Sequence, residues 1–198
     1  PEADLAIDLH AGGKASVFAT SALVTRSNNQ DLMQANLDLA AAFGAPLTWL
    51  LGGFNDTRSL NSAALNAGVP MMAAELGGGG GTDPIEVSHA VIGIKRCLAR
   101  AGIIKQTLPT APPSIFVETR SIADNIYAPV SGLFDRQFKA GDQVENGQLA
   151  GYIRSLDKLD DAPAPLHFST KGYVLAHGNR GHVMRGDMLA MVVCETHI

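Results

Sequence analysis

The sequence predicts an α/β protein: a mostly parallel, incomplete sheet followed by a small all-β barrel. Three observations carry that reading. Up to about residue 110, apolar runs of strand length alternate with segments of helical spacing. From residue 115 onward helical spacing disappears, and short strands separated by glycine turns replace it. Between the two lies a stretch rich in Pro and Thr, 108–113, which reads as a linker. The expected division is therefore 1–110 and 111–198.

The elements of the first region follow from their patterns. Residues 3–9 form a short apolar run, and 16–24 are rich in β-branched and small residues, so both read as buried strands. Over 30–43, Leu32, Met33, Leu37, Ala40 and Phe43 share one helical face, with Asn28 or Asn29 as cap and Gly44 as stop. Residues 47–51 read as a strand, 59–67 as a short helix closed by Gly68, and 69–76 as another buried strand. Asp83, Pro84 and Glu86 then mark a helix start. The Asp side chain can take orphan N–H groups, Pro suits the first helical position, and the Glu can bond back to the cap. Ile85, Ala90, Val91, Ile94, Cys97, Leu98 and Ala101 form its inner stripe, and Gly102 ends it.

The second region contains a repeat. Gly132-Leu133-Phe134, Gly141-Asp142-Gln143-Val144 and Gly147-Gln148-Leu149 return as Gly172-Tyr173-Val174, Gly181-His182-Val183 and Gly186-Asp187-Met188-Leu189. The spacing is almost the same, with one residue dropped in the second copy. This resembles the paired half-motifs of the biotinyl/lipoyl-like barrel.

Composition narrows the function. Among 198 residues 46% are hydrophobic, enough for a substantial core, and the net charge is −4. No long Lys/Arg run exists to suit nucleic acid or an anionic membrane. No apolar stretch approaches the roughly 20 residues needed to span a bilayer, and no signal peptide is visible. Cys97 and Cys194 lie far apart on buried-looking segments and read as reduced thiols. A cytoplasmic protein is expected. The first residue is Pro1 and a core-type strand follows at once, which predicts that residues are missing upstream.

Two segments carry the chemistry. Asp8-Leu9-His10 ends one apolar run, with Gly12, Gly13 and Lys14 after it. Residues two apart on a strand share a face, so Asp8 can orient the His10 ring. Glu75 ends a second run and is followed by five glycines, 77–81. Such a loop costs conformational entropy and implies close backbone approach to something. Read singly, His10 also suits a histidine bonded to backbone, and Glu75 a solvated acid on a flexible loop. Read together, they place an imidazole and a carboxylate at the edge of a sheet, where α/β proteins bind ligands. Lys158 follows Asp157 between the two half-motifs, as a modified lysine does in carrier domains, but Pro163 and Pro165 sit in a longer connection.

Taken in order, Asp8-Leu9-His10-Ala11-Gly12-Gly13-Lys14, Glu75-Leu76-Gly77-Gly78-Gly79 and the half-motifs resemble the succinylglutamate desuccinylase/aspartoacylase family, with its zinc-carboxypeptidase-like α/β fold. The Gly-Gly-Lys and poly-Gly details look closest to the N-acetyl-diaminobutyrate deacetylase branch. The resemblance implies zinc-dependent hydrolysis of the amide bond of a small N-acyl amino acid. It makes His10 a zinc ligand and Glu75 the general base and acid, with Arg58 and Lys14 meeting a substrate carboxylate. The family's early His-x-x-Glu ligands have no counterpart in this chain. The expectation is thus an inactive C-terminal fragment of a zinc deacylase, in a possible homo-oligomer. The alternatives are a non-enzymatic lipoyl-like carrier and a metallocarboxypeptidase.

Overall fold

The computed structural model describes residues 3–52 and 56–198. The first half runs β1 (Ala6–His10), β2 (Ser16–Thr25), α1 (Gln30–Phe43), β3 (Leu47–Leu51), α2 (Leu60–Ala67), β4 (Met71–Gly78) and α3 (Pro84–Arg100). The second half is all strand apart from one 3-10 turn: β5 (Ile115–Glu118), β6 (Ile126–Tyr127), β7 (Gly132–Arg136), β8 (Gln143–Val144), β9 (Leu149–Arg154), β10 (Ala164–His167), β11 (Gly172–Gly178), β12 (His182–Val183) and β13 (Met188–Glu195).

The helices start and stop where their capping chemistry requires. The Asn29 side chain accepts from the Leu32 N–H, and Gly44 turns left-handed at φ 77° to end α1. Ser59 and Gly68 do the same for α2. Asp83 caps α3 through the Ile85 N–H. Glu86 does not close the expected capping box, because its carboxylate accepts instead from the Thr20 hydroxyl of β2. Gly102 is left-handed as the sequence predicts.

Alternation along β4 divides the core. Met72 and Ala74 pack with Leu39, Ala40, Phe43 and Cys97 of α1 and α3 on one face. Met71 and Ala73 pack with Ala64 of α2 on the other. Cys97 is fully buried, its thiol donates to the Leu39 carbonyl at 3.4 Å, and burial pushes its pKa up to about 11. Cys194 is buried too. A thiol-disulfide reagent at neutral pH should therefore titrate neither cysteine in the folded protein and both in urea; fast labelling of Cys97 without denaturant would contradict this packing.

The expected fold class needs correction. A parallel sheet followed by a separate barrel is not what forms. Among the described residues a nine-stranded mixed sheet joins both halves, with its main path β1-β4-β2-β3-β5-β13-β11-β8. β1–β4, β2–β3 and β3–β5 are parallel, but β2 runs antiparallel to β4. β11 pairs antiparallel with the start of β2, Ala176 opposite Phe18. Strands β2, β3, β5, β13 and β11 thereby close into a ring, and the result is one continuous α/β domain.

The cause is length. β2 has ten residues and β3 only five, so β3 covers Ser21–Thr25 and leaves the first half of β2 an open edge that β11 fills. The remaining strands form a four-stranded sheet, β10-β9-β7-β12. The two sheets enclose Phe138, Val144, Ile153, Phe168, Val174 and Val192. The repeat is visible as two strand triplets, but they are interleaved: β8 of the first pairs with β11 of the second, and β12 of the second with β7 of the first.

Candidate active site

β1 and β4 lie side by side in parallel register, which sets His10 opposite Glu75. Asp8, two residues earlier, shares the His10 side of β1. The His10 ring donates through Nε2 to Asp8 Oδ2 at 2.7 Å. The His10 side chain is 55% exposed and that of Asp8 25%, so the pair sits on the rim.

Glu75 sits deeper. It is half-buried, and its Oε2 is shielded from solvent with no hydrogen-bond partner. Burial pushes its carboxyl above the ordinary carboxylate range; the His10 charge pulls it back and the Asp8 charge pushes it further up. An orphaned acceptor in a half-dry site is costly unless something donates to it. Across the antiparallel β2–β4 ladder Ser21 stands opposite Glu75. Ser21 is fully buried and its hydroxyl is also without a partner. The sequence offered no sign of Ser21, because only the β2–β4 register brings it to Glu75.

The glycine run acts on the chain itself. Gly77 O accepts from Gly12 N–H at 3.1 Å, Gly79 N–H donates to Ser16 O at 2.9 Å, and Gly80 N–H donates to Gly13 O at 2.7 Å. The two glycine-bearing segments after β1 and β4 are thus laced together behind His10 and Glu75. Lys14 is exposed and lies against Gly80. Arg58 is exposed and held by Asp56, with Nη2 to Oδ2 at 2.9 Å and Nε to Oδ1 at 3.0 Å. Asp8, His10 and Glu75 are brought together by strand pairing, Lys14 borders them through the glycine segment, and Arg58 is engaged by Asp56.

A partly desolvated carboxylate facing a histidine–aspartate pair at a sheet edge is an arrangement of the hydrolase type. The comparisons agree with that class. The model for the succinylglutamate desuccinylase/aspartoacylase catalytic domain matches residues 1–101. The chain belongs to this family.

Over 193 residues it is 24% identical to the N-alpha-acetyl-L-2,4-diaminobutyric acid deacetylase of Halomonas elongata, covering 97% of this chain and 56% of the relative. The succinylglutamate desuccinylase/aspartoacylase structure from Rhodobacter sphaeroides superposes with a TM-score of 0.89 at 28% identity, covering 99% of this chain and 60% of that one. The product-bound ectoine utilization protein EutE (DoeB) from Ruegeria pomeroyi superposes at 0.88 with 26% identity, covering 98% and 59%. The chain therefore spans a little more than half the length of these relatives.

Two expectations are overturned here. The first is zinc as cofactor, and with it the zinc-dependent, metal-binding amidohydrolase. Among the described residues no group of three His, Cys, Asp or Glu converges so as to hold a metal ion. His10 meets one carboxylate through its Nε2, and the donor set does not fit zinc, which takes at least three protein ligands. The second is the inactive zinc-dependent fragment. With no zinc site among the described residues, the zinc-dependent part of that expectation falls, and in place of two pieces the chain forms one continuous sheet system, with 98–99% of the chain superposing on family structures.

Proposed function

We propose that this chain carries the proton-handling part of a family-type deacylase acting on a small N-acylated molecule, with Glu75 as general base and acid. The half-buried Glu75 carboxylate, with Oε2 unpartnered and aligned with His10, carries this reading. A carboxyl whose affinity for protons is raised by burial takes a proton from an attacking water more readily than a solvated one does. Having taken it, Glu75 returns it to the leaving amine. The Asp8 carboxylate holds the His10 ring in one orientation beside it.

Within the family, the N-acetyl-diaminobutyrate branch is the reading we favour. The alignment over 193 residues with the Halomonas elongata deacetylase supports it, as does the Gly12-Gly13-Lys14 segment. Lys14 and Arg58 are the groups proposed to receive the substrate carboxylate. No helix among the described residues is long and apolar enough to cross a membrane. Two buried thiols left unpaired suit a cytoplasmic setting.

The test separates chemistry from folding. In Glu75→Gln, turnover of N-acetyl-diaminobutyrate should fall by about 10²–10⁴-fold, the usual worth of a positioned general base. Undiminished turnover would overturn the assignment.

Stability should move the opposite way. Burial favours the neutral carboxyl, so the wild-type fold loses stability as pH rises through the raised folded pKa, whereas Gln never ionises. The melting temperature of Glu75→Gln should match the wild type in acid and exceed it increasingly toward neutral pH. Differential scanning calorimetry across that range reads the divergence, and parallel curves would show that Glu75 is not desolvated.

A further inference from the structure

A cavity of about 590 Å³ opens where the first half of β2 meets β11, the 136–141 segment and the start of α3. None of Asp8, His10 and Glu75 lines it. Its charged groups are unevenly used. On one wall Asp83 caps its helix through the Ile85 N–H, and Glu86 accepts from Thr20. On the other, Arg136 and Lys139 form no ion pair among the described residues. Asp142, whose charge Arg136 feels, is engaged by the backbone N–H of Lys139 at 2.8 Å. The Arg136 guanidinium lies over the Phe138 ring, 5.7 Å from its centroid, so the cavity holds two cations without an ion-pair partner and two acids that already accept hydrogen bonds.

His177 adds a directional group. It is 6% exposed and lines the same cavity. A carbonyl can only accept, so Nδ1 donates to Gly178 O at 2.9 Å. Burial, and more weakly the Arg136 charge, lower the pKa of the ring, which keeps it neutral at pH 7. Nε2 is then an acceptor, and no donor among the described residues reaches it. Phe138 packs edge-on against the ring, 6.2 Å between centroids, and holds its plane. Phe18, Leu47, Ile115 and Tyr173 supply apolar wall.

We propose that this cavity is a second small-molecule site, which binds an organic carboxylate carrying an adjacent hydroxyl or N–H and an apolar substituent. The carboxylate sits between Arg136 and Lys139, the adjacent donor bonds to His177 Nε2, and the substituent lies along Phe18 and Tyr173. A cavity of this size, mostly apolar with a few convergent polar groups, matches the usual form of such sites. The ligand joins strands of the first and last parts of the chain, so occupancy stabilises the closed ring of strands.

Mandelate, phenylacetate and mandelamide dissect the site by amide chemical-shift titration. Mandelate should shift the amides of 136–141 and 176–179 with millimolar affinity. Phenylacetate, lacking the hydroxyl, should bind about fivefold more weakly, the worth of one net hydrogen bond. Mandelamide, lacking the charge, should leave those amides unmoved. Arg136→Gln, an exposed substitution, should weaken mandelate about tenfold or more through loss of a charge-assisted contact. Glu75→Gln should leave mandelate binding unchanged, which distinguishes this site from the proposed catalytic one. Equal binding of mandelamide, indifference to Arg136→Gln, or loss of binding in Glu75→Gln would each overturn the proposal.

Discussion

Gly78→Ala is expected to cost about 3 kcal/mol or more of folding free energy and to disorganise the Glu75 edge. Gly78 has φ 145°, a region that L side chains rarely adopt. A Cβ there would stand 2.2 Å from the Ser16 carbonyl oxygen and 3.1 Å from Gly12 Cα. Both obstacles are backbone, so no rotamer change relieves them. The segment after β1 would have to move away, breaking the contacts from Gly77, Gly79 and Gly80 that hold it. Gly81→Ala is the matched control. Its Cβ meets nothing within 4 Å and its φ is ordinary, so that variant should melt close to the wild type. Urea titration of both variants checks the contrast, and equal midpoints would show that the close approach is not rigid.

Asn36→Ala is expected to cost about 2–3 kcal/mol, the penalty for an unsatisfied buried donor together with lost packing. Asn36 lies in α1 yet is only 3% exposed. Its Oδ1 accepts from the backbone N–H of Met71 at 2.8 Å, and its Nδ2 reaches the Thr25 carbonyl at 3.5 Å. One side chain thus ties the helix to the start of β4 and the end of β2. Alanine leaves the Met71 N–H buried with no acceptor. Leucine restores volume but not the bond and should not rescue stability. Amide exchange at Met71 should accelerate in both variants; unchanged protection would show that this N–H finds another partner.

How far the sequence could be read depended on whether the deciding interaction was local. Helix α1 is legible at both ends because Asn29 and Gly44 act within a turn of the residues they cap. The approach of Asp8, His10 and Glu75 was legible because buried strands end at their polar residues, and parallel neighbours bring those ends together. The partner of the glycine run was not. Five glycines announce a close approach, and the backbone approached is that of residues 12–16 of the same chain, more than sixty residues earlier. Glu86 shows a local motif losing to a distant one: its position suits a capping box, but the Thr20 hydroxyl takes the carboxylate. The union of the two halves was hidden for a similar reason. Nothing in the β2 pattern tells which strand will cover its first half, and β11 lies about 150 residues away. Arg136 and His177, neither of them in the repeated segments, reach one cavity only through that pairing.

The ring of β2, β3, β5, β13 and β11 has a consequence for how the protein is made. An edge of β2 and an edge of β5 stay open until β11 and β13, among the last-translated strands here, leave the ribosome. Such long-range closure is slow, and the waiting strands are sticky. The nascent polypeptide therefore carries bare β-edges until those late strands emerge, and it is over that interval that mispairing with another chain has its opportunity.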